Sequence, residues 1–377
     1  MPKEIFVFGD IELGGGTLTD DFIADKTLGQ VFHSFVSKKH SVDLILNGDT
    51  FDFLKCPYID QSGKITYPRH ITAQISLAKL NLMYKFHHRV FNALKEFAQQ
   101  KNHRIFFIIG NHDHDLFFPQ IQHHICSLLK SQNNILFQMA YNEHELHIEH
   151  GHQYDFLNKI NHRKEFMNYQ GQKILNIPWV SFGLISNFMT LKEEHPFLER
   201  IKPLPLLFSH HQAVASKVSW KTIEYFSKSV FYYPLRYCFD PTYVFPKWLF
   251  REFYRRVKNR HWDVDKIVNV FKRKKRHILH KNKIYIFGHI HEKYIEEQDG
   301  WVIIHPDTWR DEYTFNTQSG LLIPKVKRYV HIQVLQNKLK WNFVDQPIKR
   351  KPLRYEDVIL NEFKYLKVAQ KAENSLR

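Results

Sequence analysis

Five short polar motifs in this chain combine residue types that bind metal ions and transfer protons. In chain order they are Asp10-Ile11-Glu12, Gly48-Asp49-Thr50-Phe51-Asp52, Gly110-Asn111-His112-Asp113, His150-Gly151-His152 and Gly288-His289-Ile290-His291. Carboxylate, amide and imidazole side chains that meet from neighbouring loops can hold two divalent cations, with one carboxylate bridging them. Two such cations can clamp a phosphoryl group and lower the pKa of a water molecule. The motifs therefore predict a metal site suited to phosphoryl chemistry.

The elements that must position these motifs are short strands. Apolar, β-rich runs occupy residues 5–9, 42–48, 104–110, 146–151, 284–288 and 301–305, and most of them end at a glycine followed by a polar residue. This pattern is typical of buried strands that lead into active-site loops. Residues 70–101 have apolar positions three or four apart, which predicts an amphipathic helix. Strand and helix therefore alternate in the first part of the chain.

The alternation stops at residue 154, and helical, aromatic and basic sequence continues to residue 283. We interpret residues 154–283 as an insertion into a core formed by residues 1–153 and 284–346. Residues 329–335 and 339–344 flank a short polar turn, which predicts a hairpin. Residues 347–377 form a C-terminal tail, with a surface helix predicted over 354–372.

In content and order the five motifs resemble those of the calcineurin-like metallophosphoesterases, D-x-H, GD-x-x-D, GNH-D/E, a lone His before Gly, and GH-x-H. The match is close at four of the five motifs. The resemblance implies an α/β fold, a four-layer αββα sandwich of two mixed sheets flanked by helices, here with a large helical insertion.

The same resemblance implies roles for individual residues. A first metal would be held by Asp10, Asp49 and His291. A second metal would be held by Asp49, Asn111, His150 and His289, with Asp49 as the bridge. His112 would be the general acid for the leaving oxygen, and Asp52 would orient His112 and keep it protonated. The role of His152, close to this set, stays open between substrate contact and alternative ligand.

Glu12 is the departure from the pattern, because it stands where D-x-H has a histidine. We count Glu12 among the metal ligands. A carboxylate is a harder and more anionic ligand than an imidazole, so the first position would favour manganese, iron or magnesium over zinc, or would bind its metal more loosely. The expected cofactors are two divalent ions, manganese first, with iron, zinc and magnesium as alternatives.

Charge and cysteine content limit the partners and the compartment. The chain has 54 Lys and Arg against 38 Asp and Glu, a formal net charge of +16, which favours nucleic acid, phosphorylated ligands or acidic lipid surfaces. Three scattered cysteines indicate neither a disulfide framework nor a zinc knot. The first residues lack a secretory signal, and residues 174–191 are too polar for a membrane span. We therefore expect a cytoplasmic protein.

The insertion contains the strongest charge cluster, with 14 Lys or Arg and three acidic residues between positions 247 and 283. Aromatic residues interrupt this cluster at Trp248, Phe250, Phe253, Tyr254 and Trp262. Basic and aromatic side chains together suit a membrane interface. The alternatives are a self-contained aromatic core with solvated charges, or nucleic-acid binding. In topology the insertion is similar to the lid of the UDP-2,3-diacylglucosamine diphosphatases, peripheral membrane enzymes that hydrolyse a pyrophosphate bond on a lipidated nucleotide sugar.

The sequence thus predicts a dinuclear phosphoesterase that hydrolyses a phosphodiester or pyrophosphate bond in a small phosphorylated substrate, lipid-linked or a nucleotide sugar. Peripheral binding to the inner face of the membrane would accompany a lipid-linked substrate. A DNA or RNA phosphodiesterase of the same superfamily and a non-catalytic scaffold with this fold are the alternatives. A serine/threonine protein phosphatase is disfavoured because Phe53 stands where those enzymes have an arginine. The sequence indicates no oligomeric state.

Overall fold

The computed structural model describes residues 3–160, 164–244, 251–252, 254–255, 267–275, 279, 281–298, 300–336, 338–347 and 350–374. The strands are β1 (Lys3–Phe8), β2 (Ser41–Asn47), β3 (Tyr58–Ile59), β4 (Ile65–Thr66), β5 (His103–Ile108), β6 (Ile135–Gln138), β7 (Ala140–Tyr141), β8 (Leu146–Glu149), β9 (Phe166–Tyr169), β10 (Gln172–Leu175), β11 (Ile201–Lys202), β12 (Ile284–Phe287), β13 (Lys293–Gln298), β14 (Trp301–Pro306), β15 (Tyr313–Asn316), β16 (Leu321–Pro324), β17 (Lys327–Leu335), β18 (Lys338–Gln346) and β19 (Leu353–Arg354).

The α-helices of the described residues lie mostly between these strands. They are α1 (Asp25–Val36), α2 (Ala73–Phe86), α3 (His88–Ala98), α4 (Pro119–Leu128), α5 (Trp179–Gly183), α6 (Met189–Glu194), α7 (Leu204–His210), α8 (Gln212–Ser227), α9 (Tyr233–Arg236), α10 (Ile267–Lys275), α11 (Tyr355–Leu360) and α12 (Glu362–Asn374). Two π-helical segments, Leu184–Phe188 and Lys228–Tyr232, continue α5 and α8.

Two sheets form the centre of the molecule. The first has the strand order β18-β17-β1-β2-β5-β6, and the second has the order β13-β14-β12-β8-β7. Strands β1, β2, β5 and β6 run parallel, as do β8, β12 and β14. Between the sheets lies an apolar layer that includes Ile5, Val7, Ile148 and Ile286.

Helices cover the outer faces of both sheets. Phe6 and Phe8 of β1 point away from the second sheet and pack with Phe32 of α1 and Phe97 of α3. This two-sided burial explains why β1 is a nearly continuous apolar run. On the second sheet, Phe271 of α10 packs against a cluster formed with strands β12 and β14. The layers are helix, sheet, sheet and helix, so the predicted αββα sandwich is confirmed.

The predicted helix over residues 70–101 is two helices, α2 and α3, which meet at His87. Thr72 caps the first of them by accepting a hydrogen bond from the Ile75 amide at 3.4 Å. His87 is buried and pairs with Asp20 and Asp25, each at 2.9 Å. The His87 backbone departs from helical angles, with φ −106° and ψ 31°, and the charged contact holds this residue where the two helices meet.

Residues of the predicted insertion pack in several places. Leu175 and Phe182 join the apolar core under the first sheet. Leu207 packs with residues of β15, β16 and α12, beside a small sheet of order β11-β15-β16-β19.

The predicted C-terminal surface helix is also two helices, α11 and α12, and both bury apolar side chains. In the described part of the chain no helix combines the length and apolar character needed to cross a bilayer.

Candidate metal centre

The carboxyl ends of five strands meet at one cleft. Asp10, Asp49 and Asn111 follow β1, β2 and β5 of the first sheet, whereas His150 and His289 follow β8 and β12 of the second sheet. Parallel strands present their carboxyl ends at the same edge of a sheet, and the face-to-face packing places both edges side by side. The cleft therefore collects oxygen and nitrogen ligands that are far apart in the sequence.

His150 is the centre of one group of ligands. Its Nε2 atom lies 3.1 Å from Asp49 Oδ2 and 3.1 Å from Asn111 Oδ1. Its Nδ1 atom lies 3.0 Å from the backbone oxygen of Asn47, to which it donates a hydrogen bond. In the neutral ring Nε2 therefore presents a lone pair to two oxygen acceptors. A metal ion between these atoms would accept the lone pair and bind the oxygens, and ligand atoms of Asp49, His150 and His289 lie within 4.8 Å of one another. Without a metal, burial lowers the pKa of His150, but Asp49 and Asp10 outweigh it and raise the pKa to about 10, so the protonated ring donates to Asp49 instead.

His291 marks a second group. Its Nε2 atom lies 3.5 Å from Asp10 Oδ1 and 3.5 Å from Glu12 Oε1. The Glu12 Oε1 atom is buried and accepts no hydrogen bond from the described residues. An orphaned buried carboxylate oxygen is costly, and a metal ion would satisfy it. The residues of both groups thus fit divalent cations.

Acceptors behind the histidines fix which ring nitrogen faces the cleft. Glu312 Oε1 lies 3.1 Å from His291 Nδ1, and Asp155 Oδ2 lies 3.0 Å from His289 Nε2. Such carboxylates orient metal-binding imidazoles and make them better ligands. Our sequence reasoning assigned no role to Asp155 or Glu312. In the sequence, Asp155 lies four residues after the motif residue Gly151, and Glu312 lies in a charged segment, residues 310–312, that follows the strand-like run 301–305.

Four of the proposed ligands have backbone angles in the left-handed region. Glu12, Asp49, His289 and His291 have φ angles of 55°, 48°, 73° and 56°. This left-handed region is uncommon for residues other than glycine, and its occupancy clusters at functional sites. A Cβ atom on Gly110 would lie 2.1 Å from Asp49 Oδ1, so that position requires glycine. The loops are therefore shaped to bring the ligands together.

His112 and Asp52 lie beside the ligands. His112 Nδ1 is 2.9 Å from Asp52 Oδ1, and the His112 backbone amide donates to Asp49 Oδ1 at 2.7 Å. Burial lowers the pKa of His112, but the carboxylates of Asp52, Asp49 and Glu12 outweigh it and raise the pKa to about 9. The ring is therefore held as a proton donor whose Nε2 is available to a substrate.

Fixed cations surround Glu12 on its other side. Lys55 Nζ lies 2.8 Å from Glu12 Oε2, and Arg310 Nε lies 3.3 Å from the same oxygen. Lys55 also contacts Asp21 at 2.8 Å and Asp52 at 3.0 Å. Sequence reasoning missed both cations, since nothing in the local pattern relates them to Glu12.

His152 is buried, and its ring centroid lies 5.3 Å from that of His150. Burial and the neighbouring histidines hold the pKa of His152 well below its usual range. A neutral ring follows from this environment.

Of the aromatic residues predicted at a membrane interface, Tyr254 is exposed. Trp248, Phe250, Phe253 and Trp262 lie outside the described residues, as does much of the basic cluster.

No protein-family model matches the chain, and no curated protein matches it. Among solved structures, the chain is similar to a conserved uncharacterised protein of Streptococcus pneumoniae, a predicted phosphoesterase. The identity is 9%, the TM-score is 0.29, and the match covers 94% of this chain and 98% of the other. Vps29 of Entamoeba histolytica, complexed with zinc, is 14% identical with a TM-score of 0.13, over 22% of this chain and 48% of that chain. Similarity of this extent establishes no family, so the functional interpretation rests on the cleft.

Proposed function

We propose that this protein is a dinuclear metal-dependent phosphoesterase that hydrolyses a phosphodiester or pyrophosphate bond. The observation that supports it best is the arrangement of His150, His289 and His291. In each of these histidines, one ring nitrogen contacts an oxygen acceptor on the side away from the cleft. The other ring nitrogen is left to bind a metal in the cleft together with Asp10 and Asp49. This is the arrangement of metal-binding imidazoles.

In this proposal Asp10, Glu12, Asp49 and His291 hold one cation, and Asp49, Asn111, His150 and His289 hold the other. Divalent cations bound there would neutralise charge on the phosphoryl oxygens and lower the pKa of the attacking water. Manganese is the first choice because Glu12 supplies a hard carboxylate where the family pattern has a histidine. His112 donates a proton from Nε2 to the leaving oxygen, while Asp52 holds the ring by its Nδ1 atom.

A cavity near the cleft supports a substrate with an acyl chain. Its volume is about 240 Å³, and its walls are mostly apolar, with Leu184, Phe188 and Leu204 among them. Glu199 borders this cavity and pairs with Arg310 at 3.0 Å, and Arg310 in turn contacts Glu12. Two ion pairs that share Arg310 thus connect the wall of the apolar cavity to the proposed ligand Glu12. A lipid-linked nucleotide sugar such as UDP-2,3-diacylglucosamine combines a pyrophosphate bond with acyl chains that suit an apolar cavity.

An exposed apolar stripe on α8, the following π-helical segment, α9 and the turn after α9 supports membrane contact. Its side chains are 57% to 78% exposed: Trp220, Ile223, Phe231, Leu235 and Phe239. Residues 212–240 carry four Lys or Arg and two acidic residues. Apolar side chains among basic ones suit the surface of an anionic bilayer, into which the stripe would insert at headgroup level. The protein would then work at the inner face of the membrane.

The enzymatic proposal is tested with purified protein whose metal content is measured in parallel. Manganese-dependent hydrolysis is assayed on an artificial phosphodiester, a phosphomonoester and UDP-2,3-diacylglucosamine. We expect cleavage of the lipid nucleotide. Activity on the simple esters alone would overturn the lipid substrate and keep the enzyme class. An inactive protein that binds no metal would favour the scaffold alternative.

The membrane proposal is tested by sedimentation with vesicles of phosphatidylglycerol and phosphatidylcholine. A triple variant, Trp220→Ser with Phe231→Ser and Leu235→Ser, should bind anionic vesicles at least about tenfold more weakly, because each lost apolar side chain contributes about 1.5 to 3 kcal/mol when buried. Leu360→Ser is the matched control, since Leu360 is equally exposed on α11. Equal binding by the triple variant and the native protein would exclude this face as the membrane contact.

A further inference from the structure

The two oxygens of the Glu12 carboxylate have different environments. Oε1 faces His291 Nε2 at 3.5 Å and accepts no hydrogen bond from the described residues. Oε2 lies 2.8 Å from Lys55 Nζ and 3.3 Å from Arg310 Nε. Glu12 and Lys55 are both 1% exposed, so solvent screens their interaction little. One oxygen is therefore available to a metal while the other is neutralised by the protein.

This neutralisation is held in place by further ion pairs. Lys55 contacts Asp21 and Asp52 in addition to Glu12. Arg310 contacts Asp21 at 2.8 Å and Glu199 at 3.0 Å. If either cation turned toward the solvent, it would break at least three ion pairs in this poorly exposed cluster, which is unfavourable. Both cations are consequently permanent parts of the Glu12 environment.

In the described part of the chain, the other two carboxylate ligands have no such cation beside them. Within the described ranges, no lysine or arginine forms an ion pair with Asp10 or Asp49; their paired groups are histidines. The only proposed carboxylate ligand in contact with fixed cations is thus Glu12, within the same described ranges. Glu12 is also the residue that carries a negative charge where the D-x-H pattern has a neutral histidine.

We propose that Lys55 and Arg310 neutralise Glu12 and thereby lower the affinity of the first metal position, so that Glu12 acts as a ligand with little net charge. The proposal rests on the proposed dinuclear centre. A carboxylate that shares its charge with two cations attracts a metal ion less strongly, and the cations themselves repel it across a poorly screened interior. The first position would then fill only at higher metal concentration than the second.

The test measures metal binding rather than turnover. Isothermal titration calorimetry with Mn²⁺ is performed on the native protein and on Lys55→Gln, each also carrying Asn111→Ala to weaken the second position. We expect Lys55→Gln to bind Mn²⁺ at the first position about tenfold more tightly or better, because removing one buried cation changes the Coulomb energy by at least about 1.4 kcal/mol. Without metal the variant should melt at a lower temperature, and saturating Mn²⁺ should raise its melting temperature more than that of the native protein.

Lys79→Gln is the matched control. Lys79 is as buried as Lys55, but its Nζ donates to the Phe53 backbone oxygen at 2.7 Å and contacts no proposed ligand. This variant should lose stability without a change in Mn²⁺ affinity. Arg310→Gln is the second test and should also tighten Mn²⁺ binding at the first position. It serves as the test on its own if Lys55→Gln does not fold.

The outcomes separate this inference from the proposed function. A folded Lys55→Gln or Arg310→Gln protein with unchanged or weaker first-position affinity would overturn the inference while the dinuclear centre stands. A tightening of equal size in Lys79→Gln would also overturn it, since the effect would not depend on Glu12. Native protein that binds no Mn²⁺ would instead refute the proposed function.

Discussion

The imidazole of His112 is fixed to Asp52 by a 2.9 Å contact between Nδ1 and Oδ1, and the His112 backbone amide separately donates to Asp49 Oδ1. The side chain and the backbone of one residue thus serve different parts of the site. Substitution of the side chain leaves the amide contact to Asp49 in place. The proton-transfer role can therefore be separated from the support of the metal ligands.

His112→Ala should lower the turnover number about 10² to 10⁴-fold, the usual contribution of a general acid. Metal content should stay at the native level, because the backbone contact to Asp49 remains. Steady-state kinetics with metal analysis on the same sample checks both parts. A variant with native turnover would remove His112 from the role of acid.

Asp52→Asn should lower turnover about 10 to 100-fold, the usual effect of removing a group that orients a functional imidazole. Its effect should vanish in the His112→Ala background, because Asp52 acts on catalysis through that ring. A double-mutant cycle on turnover measures this coupling. Additive losses in the double variant would show that Asp52 acts independently of His112.

Asp155→Asn and Glu312→Gln should each weaken Mn²⁺ binding about 10 to 100-fold, because they hold His289 and His291 in the orientation a metal requires. Asp155→Asn should weaken the second metal position, which includes His289, and Glu312→Gln should weaken the first, which includes His291. Calorimetric titration of each variant distinguishes the positions by their enthalpy and stoichiometry. Unchanged binding in both variants would contradict the assigned orientation of the rings.

Gly110→Ala should abolish Mn²⁺ binding at the bridging carboxylate, since the new methyl group would lie 2.1 Å from Asp49 Oδ1 and must displace it. Gly63→Ala is the control. Gly63 has a φ angle of +81° with no atom within 4 Å of the added Cβ, so its substitution should cost only about 1 to 2 kcal/mol of backbone strain. Native Mn²⁺ affinity in Gly110→Ala would show that Asp49 has room to move.

The buried contact of His87 with Asp20 and Asp25 predicts a pH-dependent stability. Burial lowers the pKa of His87, but the two carboxylates outweigh it and raise the pKa to about 10. An unfolded histidine has a pKa of about 6.5. The folded state therefore binds the proton more tightly, and the stabilisation is complete below about pH 6.5 and lost as the pH rises through 10.

His87→Gln should lower the free energy of unfolding by about 3 to 5 kcal/mol at pH 6, the usual cost of breaking a buried ion pair. The difference from the native protein should shrink steadily toward pH 10. Urea unfolding at pH 6, 8 and 10 measures it. His33→Gln is the control, because His33 pairs with Glu96 at 2.7 Å on the exposed surface and contributes little. A difference that does not change with pH would exclude the titration of His87 as its cause.

The helix over residues 70–101 shows where prediction from periodicity reached its limit. The apolar spacing identified a helical segment between two strands. The same spacing continues across His87, where the structure has a break between two helices, so the spacing does not reveal the break. His87, at the break, contacts Asp20 and Asp25, which lie more than sixty positions away. Partners at that distance leave no trace in a local pattern. The alternation of strand and helix, by contrast, is a local property. The αββα class was implied by the resemblance of the five motifs to those of the calcineurin-like metallophosphoesterases.

The sequence by itself determined that the five motifs follow strands, because apolar runs and the glycines after them are local signals. Only the tertiary structure decided how those strand ends are arranged around one cleft. It also decided which groups stand behind each ligand: Asp155 behind His289, Glu312 behind His291, and Lys55 with Arg310 behind Glu12. The physical reason is that burial and charge pairing depend on distances in space, and the packing of two sheets and the helices around them sets those distances.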